Sequence, residues 1–325
     1  MRTVFMGSPE FAVPCLMALH RHTDVVAVVC QPDKPAGRGQ KLHPPAVKVA
    51  AEALGKPVLQ PLALRPTKSS FVAELTALQP ELVVVVAYGR ILPPEVLAIP
   101  KCGCWNVHGS ILPRYRGAAP IQWALMRGEK RTGVTLMQMD AGLDTGPMLR
   151  TLEIPIGPDD TAGTLHEKLS LLGAQLLDEA LPALVRGEVP QPIPQDNALM
   201  TLAPLLDKEH GRADFTRSAE LVCGHLRGVD PWPGGYTLLP PGLAGPEAVP
   251  LKLFLPRRCS GQGRPGEVLG VDRDGLMVAC GEGAVVFPEA QLPGRKRMST
   301  QALCAGLHLP RGTVLDEGRP NPLLS

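Results

Sequence analysis

The apolar run LVVVVAY, Leu82 to Tyr88, constrains this chain more than any other stretch of it. β-Branched side chains lose rotamer freedom in a helix, and a run without a polar position suits a strand buried on both faces, as in a parallel sheet. A membrane helix needs about 20 such residues, so the run predicts a central strand and not a span. Val25 to Cys30 reads the same way. Around these two runs, Arg2 to Met6 predicts a short strand. The turn Gly7-Ser8-Pro9 then opens a helix through about His20, with Ser8 as N-cap and Pro9 at the first helical position. Helical patterns at Ala46 to Leu54 and Ser69 to Leu78 bracket a short strand near Val58. Thr132 to Met139 supplies a later strand, and Thr164 to Val185 a long helix. Strands alternating with helices predict an α/β fold built on a doubly wound, mostly parallel sheet, over residues 1–189.

The alternation stops near Pro190. PQPIPQDNALMTLAP has no periodicity and predicts an interdomain linker over residues 190–205. Beyond it come one helical pattern, Ser218 to Arg227, and short strand-like pieces: Tyr236 to Leu239, Leu251 to Phe254, Gly266 to Val271, Gly275 to Cys280 and Ala284 to Phe287. Short strands separated by Gly and Pro turns predict a small β-barrel over residues 206–325. The 34 glycines and 36 prolines among 325 residues fall short of the roughly 25–30% that marks low-complexity disorder, so they are read as rigid turns.

Several function classes drop out. The N-terminus, with Arg2 and a short apolar stretch before Gly7, is not expected to be a signal or transit peptide. Eight cysteines without a CxxC predict reduced thiols in a cytoplasmic protein and no metal site. A net charge of +2 does not announce a nucleic-acid binder, so any RNA contact must come from local patches. With 3 Trp, 3 Tyr and 6 Phe, an aromatic stacking platform is not expected.

In an open parallel sheet ligands bind outside the carboxyl ends of the strands. That directs attention to the turn CGCWNVHGSILP, where Asn106 and His108 stand two apart and so share one face of a strand. An amide there can donate to an oxygen gaining negative charge, and an imidazole can move a proton near neutral pH. The same pair also suits a turn asparagine and a core histidine. DAGLDTG places Asp140 and Asp144 after the next strand, where a carboxylate can fix the imidazole tautomer and stabilise its protonated form, or simply solvate a turn. The segment KPAGRGQKLHPPAVK carries Lys34, Arg38, Lys41 and Lys48 without a carboxylate, and predicts a long exposed loop suited to phosphate contact or to solvent. Gly37 and Gly39 begin a GxGxxG without completing it, which counts against a nucleotide-binding oxidoreductase.

Taken together, NVHGSILPRYRGAAPIQWAL, TGVTLMQMDAGLDTGPML, QPDKPAGRGQKLHPPAVK, VVVAYGRILP, VDPWPG and GRKRMS resemble the methionyl-tRNA formyltransferase family over nearly the whole chain. The resemblance implies a Rossmann-like formyltransferase domain followed by an OB-fold-like barrel that helps to hold tRNA. It implies transfer of the formyl group of 10-formyltetrahydrofolate to the α-amine of methionyl initiator tRNA, by a monomer without a membrane or metal partner. Asn106, His108 and Asp144 match the family's catalytic trio. Tyr88, Ser110, Ile111, Leu112, Pro113 and Asp140 fall in its folate pocket. Arg38, with Lys34, Lys41, Lys48, Arg295, Lys296 and Arg297, falls among its tRNA contacts. The Pro-rich stretch Leu238 to Pro250 departs from the pattern. Two rivals are another formyl-folate enzyme on the same scaffold and an RNA-binding protein with a vestigial trio.

Overall fold

A computed structural model of the chain describes residues 1–36 and 41–324, with Ala36 and Lys41 given by their backbone alone. Arg38 lies outside the described residues. Contacts group the chain into two units: Met1–Pro120, Arg131–Pro155 and His166–Pro204 form one, and Ile121–Lys130, Ile156–Leu165 and Leu205–Ser325 the other.

The first unit holds β1 (Arg2–Gly7), β2 (Asp24–Val29), β3 (Lys34–Ala36), β4 (Lys41–His43), β5 (Val58–Leu59), β6 (Leu82–Val86), β7 (Cys104–His108), β8 (Arg131–Gln138) and β9 (Met148–Pro155). Seven of these make one sheet in the order β5-β2-β1-β6-β7-β8-β9. The pairs from β5 to β7 are parallel, and β7–β8 and β8–β9 are antiparallel. The apolar run forms β6 in the middle of the sheet, with every residue from Leu82 to Val86 buried, as its lack of polar positions requires. From β1 the chain runs outward to β2 and β5 and then returns to lay β6 on the other side of β1. The order reverses there, so the turns after Gly7 and Val86, paired in register, leave the sheet side by side at its switch point. Helices α1 (Val13–His22), α2 (Ala46–Ala53), α3 (Phe71–Ala77) and α4 (Pro94–Leu97) connect these strands.

Three local expectations change. Ser8 is not a helix cap: a short 3-10 turn at Glu10–Ala12 precedes α1, and the Ser8 hydroxyl accepts from the Gln31 N–H at 3.0 Å, tying the ends of β1 and β2 together. The basic segment is not wholly loop, because β3 and β4 pair antiparallel with Lys34 opposite His43. Residues 190–204, expected as a linker, group with the first unit, since Met148 and Ile193 exchange backbone hydrogen bonds at 2.8 Å and Arg116 pairs with the strand-like stretch at Leu202.

The second unit includes α5 (Pro120–Met126) from Ile121 onward and the start of α6 (Ala162–Val185), both expected in the N-terminal part. The reason is close packing: a Cβ added at Gly224 of α7 (Ala219–Gly228) would lie 2.6 Å from the Leu125 carbonyl oxygen, so only glycine lets the helices meet there. Ser218 caps α7, its hydroxyl accepting from the Leu221 N–H at 3.4 Å. The remaining strands are β10 (Tyr236–Leu239), β11 (Val249–Phe254), β12 (Arg257–Cys259), β13 (Val268–Asp272), β14 (Gly275–Ala279), β15 (Ala284–Phe287), β16 (Glu289–Gln291) and β17 (Met298–Ser299), followed by α8 (Thr300–Leu307). They form two four-stranded antiparallel sheets, β10-β11-β16-β17 and β12-β15-β14-β13, around one core that includes Leu251, Leu253, Val278 and Phe287. This is the small OB-fold-like β unit expected, and the Pro-rich stretch is the connection between β10 and β11. Among the described residues no helix is long and apolar enough to cross a membrane.

Candidate active site

β7 carries the centre of the site. Its alternation buries Trp105 and Val107 on one side, with Asn106 and His108 on the other as their spacing requires. Asn106 is half-buried, and its side-chain amide has no hydrogen-bond partner among the described residues. A half-buried amide with its two N–H donors unspent is available to an incoming oxygen.

His108 is 6% exposed and has both ring nitrogens committed to a direction. Nε2 lies 2.9 Å from the Tyr115 carbonyl oxygen, which can only accept, so the proton sits on Nε2. In the neutral ring Nδ1 then carries the lone pair, and it faces Asp144 Oδ2 at 3.6 Å. The tautomer is therefore set by Tyr115, not by the aspartate as expected from sequence. Asp144 places its carboxylate next to the ring nitrogen that is left without a proton in the neutral imidazole. Asp144 is itself held: its φ of 52° is in the left-handed region, and Oδ2 accepts from the Gly117 N–H at 2.9 Å.

The other residues expected at the site fall into three groups. Tyr88 follows β6 at the switch point and is 2% exposed; its hydroxyl is buried with no partner among the described residues, and burial pushes its pKa up to about 12. Ser110, Ile111, Leu112 and Pro113 form the turn after β7, fastened by Thr135 of β8: its hydroxyl donates to the Ser110 carbonyl at 2.7 Å and accepts from the Leu112 N–H at 3.2 Å. Ser110 spends its own hydroxyl on the Arg114 carbonyl at 2.7 Å. Asp140 is exposed and occupied within its loop, accepting from the Gly142 N–H at 3.0 Å and the Thr145 hydroxyl at 2.6 Å, so its carboxylate shapes the loop that carries Asp144.

Of the basic residues, Lys34 is exposed on β3, while Lys48 is taken by Asp33 at 2.8 Å and by Gln60 at 3.1 Å. Gln60 and Lys48 in turn hold the Asp33 carboxyl below its ordinary pKa. A single acidic residue just outside the basic segment thus removes one of its cations from service. Arg295, Lys296 and Arg297 are exposed in the second unit, where Arg297 pairs with Glu289 and lies 4.1 Å from the Phe254 ring centroid. Among the described residues no cluster of three or more His, Cys, Asp or Glu side chains has the arrangement to hold a metal.

Sequence reasoning missed Tyr115, Arg116, Thr135, Gln195 and Thr201. The hydroxyl of Thr135 between Val134 and Leu136 was the one visible signal. The contacts of Tyr115 with Thr201 and of Gln195 with the Asp144 loop join residues 86 and 51 positions apart, which no local pattern encodes.

Comparison with known proteins adds the following. Residues 1–181 match the formyl transferase family and residues 205–308 the formyl transferase C-terminal domain. The chain is 50% identical over 318 residues to a methionyl-tRNA formyltransferase of Geobacter sulfurreducens, covering 98% of this chain and 97% of that protein. It is 48% identical over 312 residues to one of Myxococcus xanthus, covering 96% and 97%. In fold it is similar to an N-formyltransferase from Helicobacter canadensis in complex with folinic acid and dTDP-3-aminofucose, with a TM-score of 0.64 at 19% identity over 89% of this chain and 98% of that one. It is also similar to HypX from Aquifex aeolicus in complex with tetrahydrofolic acid, with a TM-score of 0.59 at 19% identity; 96% of this chain matches 48% of that longer one.

Proposed function

Because this chain belongs to the methionyl-tRNA formyltransferase family, we propose that it moves the formyl group of 10-formyltetrahydrofolate to the α-amine of methionyl initiator tRNA, with Asn106, His108 and Asp144 as the groups that do the work. The observation that carries the reading is the unspent amide of Asn106 beside an imidazole whose basic nitrogen faces a carboxylate. The residues fit a folate formyl donor: the buried Tyr88 hydroxyl lacks a partner among the described residues, and the Ser110 to Pro113 turn is pinned by Thr135 at the carboxyl end of β7.

The donor is a co-substrate that supplies an activated formyl carbon. A free α-amine has a pKa of about 8, so most of it is protonated at pH 7 and cannot attack. His108 Nδ1 accepts a proton from the amine, and Asp144 stabilises the resulting imidazolium at 3.6 Å. As the new carbon–nitrogen bond forms, the formyl oxygen gains negative charge, which the Asn106 amide and the protonated His108 meet by donation. The imidazolium then gives its proton to the folate nitrogen, whose bond to carbon breaks as the carbonyl re-forms, and the neutral His108 takes the second proton of the attacking nitrogen and releases it to solvent. Formylmethionyl-tRNA and tetrahydrofolate leave.

The C-terminal β unit, with exposed Arg295 and Lys296, is assigned to holding the tRNA, and Arg38 to the end of its acceptor stem. A monomer is assigned with it, and eight free cysteines suit the reducing cytoplasm. The test is direct: the purified protein is incubated with methionyl initiator tRNA and 10-formyltetrahydrofolate, and formylmethionine is sought on the tRNA. Parallel incubations with an amino-sugar nucleotide and with glycinamide ribonucleotide address the rival acceptors. Product on either rival and none on tRNA overturns the assignment.

A further inference from the structure

We propose that residues 195–203 form a positioning strap for the proton-handling pair, in which Thr201 sets His108 through Tyr115 and Gln195 sets Asp144 through its loop. The inference rests on reading His108 and Asp144 as that pair.

The two loops that present the pair both contain a non-glycine residue in the left-handed region, Tyr115 at φ 62° and Asp144 at φ 52°. Such residues stay there when the surrounding structure holds them. At Tyr115 the holding group is the strap. The Thr201 hydroxyl accepts from the Tyr115 N–H at 2.9 Å, and the Thr201 carbonyl accepts from the Arg116 N–H at 2.9 Å. Ala203 continues the ladder, donating to the Arg116 carbonyl at 2.7 Å and accepting from the Ala119 N–H at 3.1 Å. With its peptide fixed on both sides, Tyr115 presents its carbonyl to His108 Nε2. Gly117 shows how closely the strap lies: its φ is 124°, and an added Cβ would stand 2.7 Å from the Ala203 carbonyl oxygen.

Gln195 joins the two loops with one side chain. Its Nε2 donates to the carbonyls of Asp144 at 2.8 Å and Gly146 at 2.7 Å. Its Oε1 accepts from Arg116 Nε at 3.0 Å and Nη2 at 2.7 Å, and Asn197 Oδ1 accepts from the same Nη2 at 2.9 Å. Arg116 can only donate and the loop carbonyls can only accept, so the amide has one possible orientation. Arg116 is 5% exposed, which makes its amide partners a requirement of folding and not a surface accident. The separation of 3.6 Å between His108 and Asp144 is therefore set by two residues of the strap: Thr201, which acts through Tyr115, and Gln195, which holds Asp144 by its backbone carbonyl.

The experiment compares Gln195→Ala, Thr201→Val and Thr201→Ser in the full chain. A misplacement of about 1 Å at a reacting group can cost about 100-fold. Gln195→Ala and Thr201→Val are expected to lose about 10- to 100-fold in kcat, with KM for both substrates within about 3-fold and a displaced pH–kcat profile. Thr201→Ser, which keeps the acceptor, is expected to restore turnover. Nitrogen-15 NMR of His108 supplies a readout independent of activity: the wild type shows the Nε2–H tautomer and Thr201→Val a mixture. Wild-type kcat and pH profile in folded Gln195→Ala and Thr201→Val overturn the proposal, as does an unchanged His108 tautomer with activity lost in all three. Should Thr201→Val not fold, Gln195→Ala carries the kcat and pH readouts alone. An inactive wild type removes the functional reading, and the NMR arm still decides the strap.

Discussion

At the scale of single residues, Asn106 and His108 differ in what the folded chain has already asked of them. His108 donates to Tyr115 and faces Asp144, so replacing it disturbs the resting structure as well as the proposed reaction. Asn106 has no side-chain partner to lose among the described residues, so in the proposed mechanism its amide contributes only once a substrate oxygen arrives. An interaction made only in the transition state lowers kcat when removed and leaves ground-state affinity alone. Asn106→Ala is therefore expected to reduce kcat about 100- to 1000-fold, the cost of one oxyanion donor at about 2.7–4 kcal/mol. Folate KM should barely change, and stability should stay within about 0.5 kcal/mol. Steady-state kinetics together with a thermal melt check this. A folded variant with wild-type turnover takes Asn106 out of the mechanism.

At the scale of elements, α7 carries a built-in acid sensitivity. His225 is fully buried, its Nε2 donates to the His210 carbonyl at 2.6 Å, and its Nδ1 has no partner among the described residues. Burial lowers its pKa from 6.5 to about 4. Between those values the unfolded chain binds a proton that the folded chain refuses, so stability is complete above about pH 6.5 and is lost as pH falls toward 4. The loss approaches about 3 kcal/mol for such a shift. His225→Gln, which keeps a donor for the His210 carbonyl, is expected to show a smaller difference in urea midpoint between pH 7 and pH 4.5; an equal difference would place the acid sensitivity elsewhere. Elements also differ in how far their sequence announces them. β6 is legible because five consecutive buried positions leave no other explanation for its valines. β9 was not expected, since none of its eight residues is fully buried and its alternation is correspondingly weak. β3 contains Pro35, which is depleted in strands, and β12 is only three residues, Arg257-Arg258-Cys259, two of them exposed, so neither shows an alternation to read. Asn106 and His108 were readable because one strand fixes their spacing. Tyr115 acts through its backbone carbonyl, which leaves no mark on residue type.

At the scale of the whole molecule, charge is nearly balanced, with 19 basic and 18 acidic residues through Leu205 and 14 and 13 after it. Such a chain has little field with which to attract a polyanion from a distance, so tRNA must be held by a few local cations. The structure reduces their number further. Lys48 is committed to Asp33, and Arg297 to Glu289 and Phe254, while Arg295, Lys296 and Lys34 stand exposed. Each phosphate neutralised contributes about 0.7–0.9 to the slope of log affinity against log salt. About three or four contacts therefore predict a slope of about −2 to −4, present but shallow beside that of a strongly basic nucleic-acid binder. Arg295→Ala with Lys296→Ala should flatten it by about 1 to 2 and weaken initiator and elongator tRNA alike, because phosphate contacts carry no sequence information. Filter binding of both tRNAs across a salt series measures the slope. No salt dependence, or a slope untouched by the double substitution, would mean that the tRNA is held by groups other than these cations.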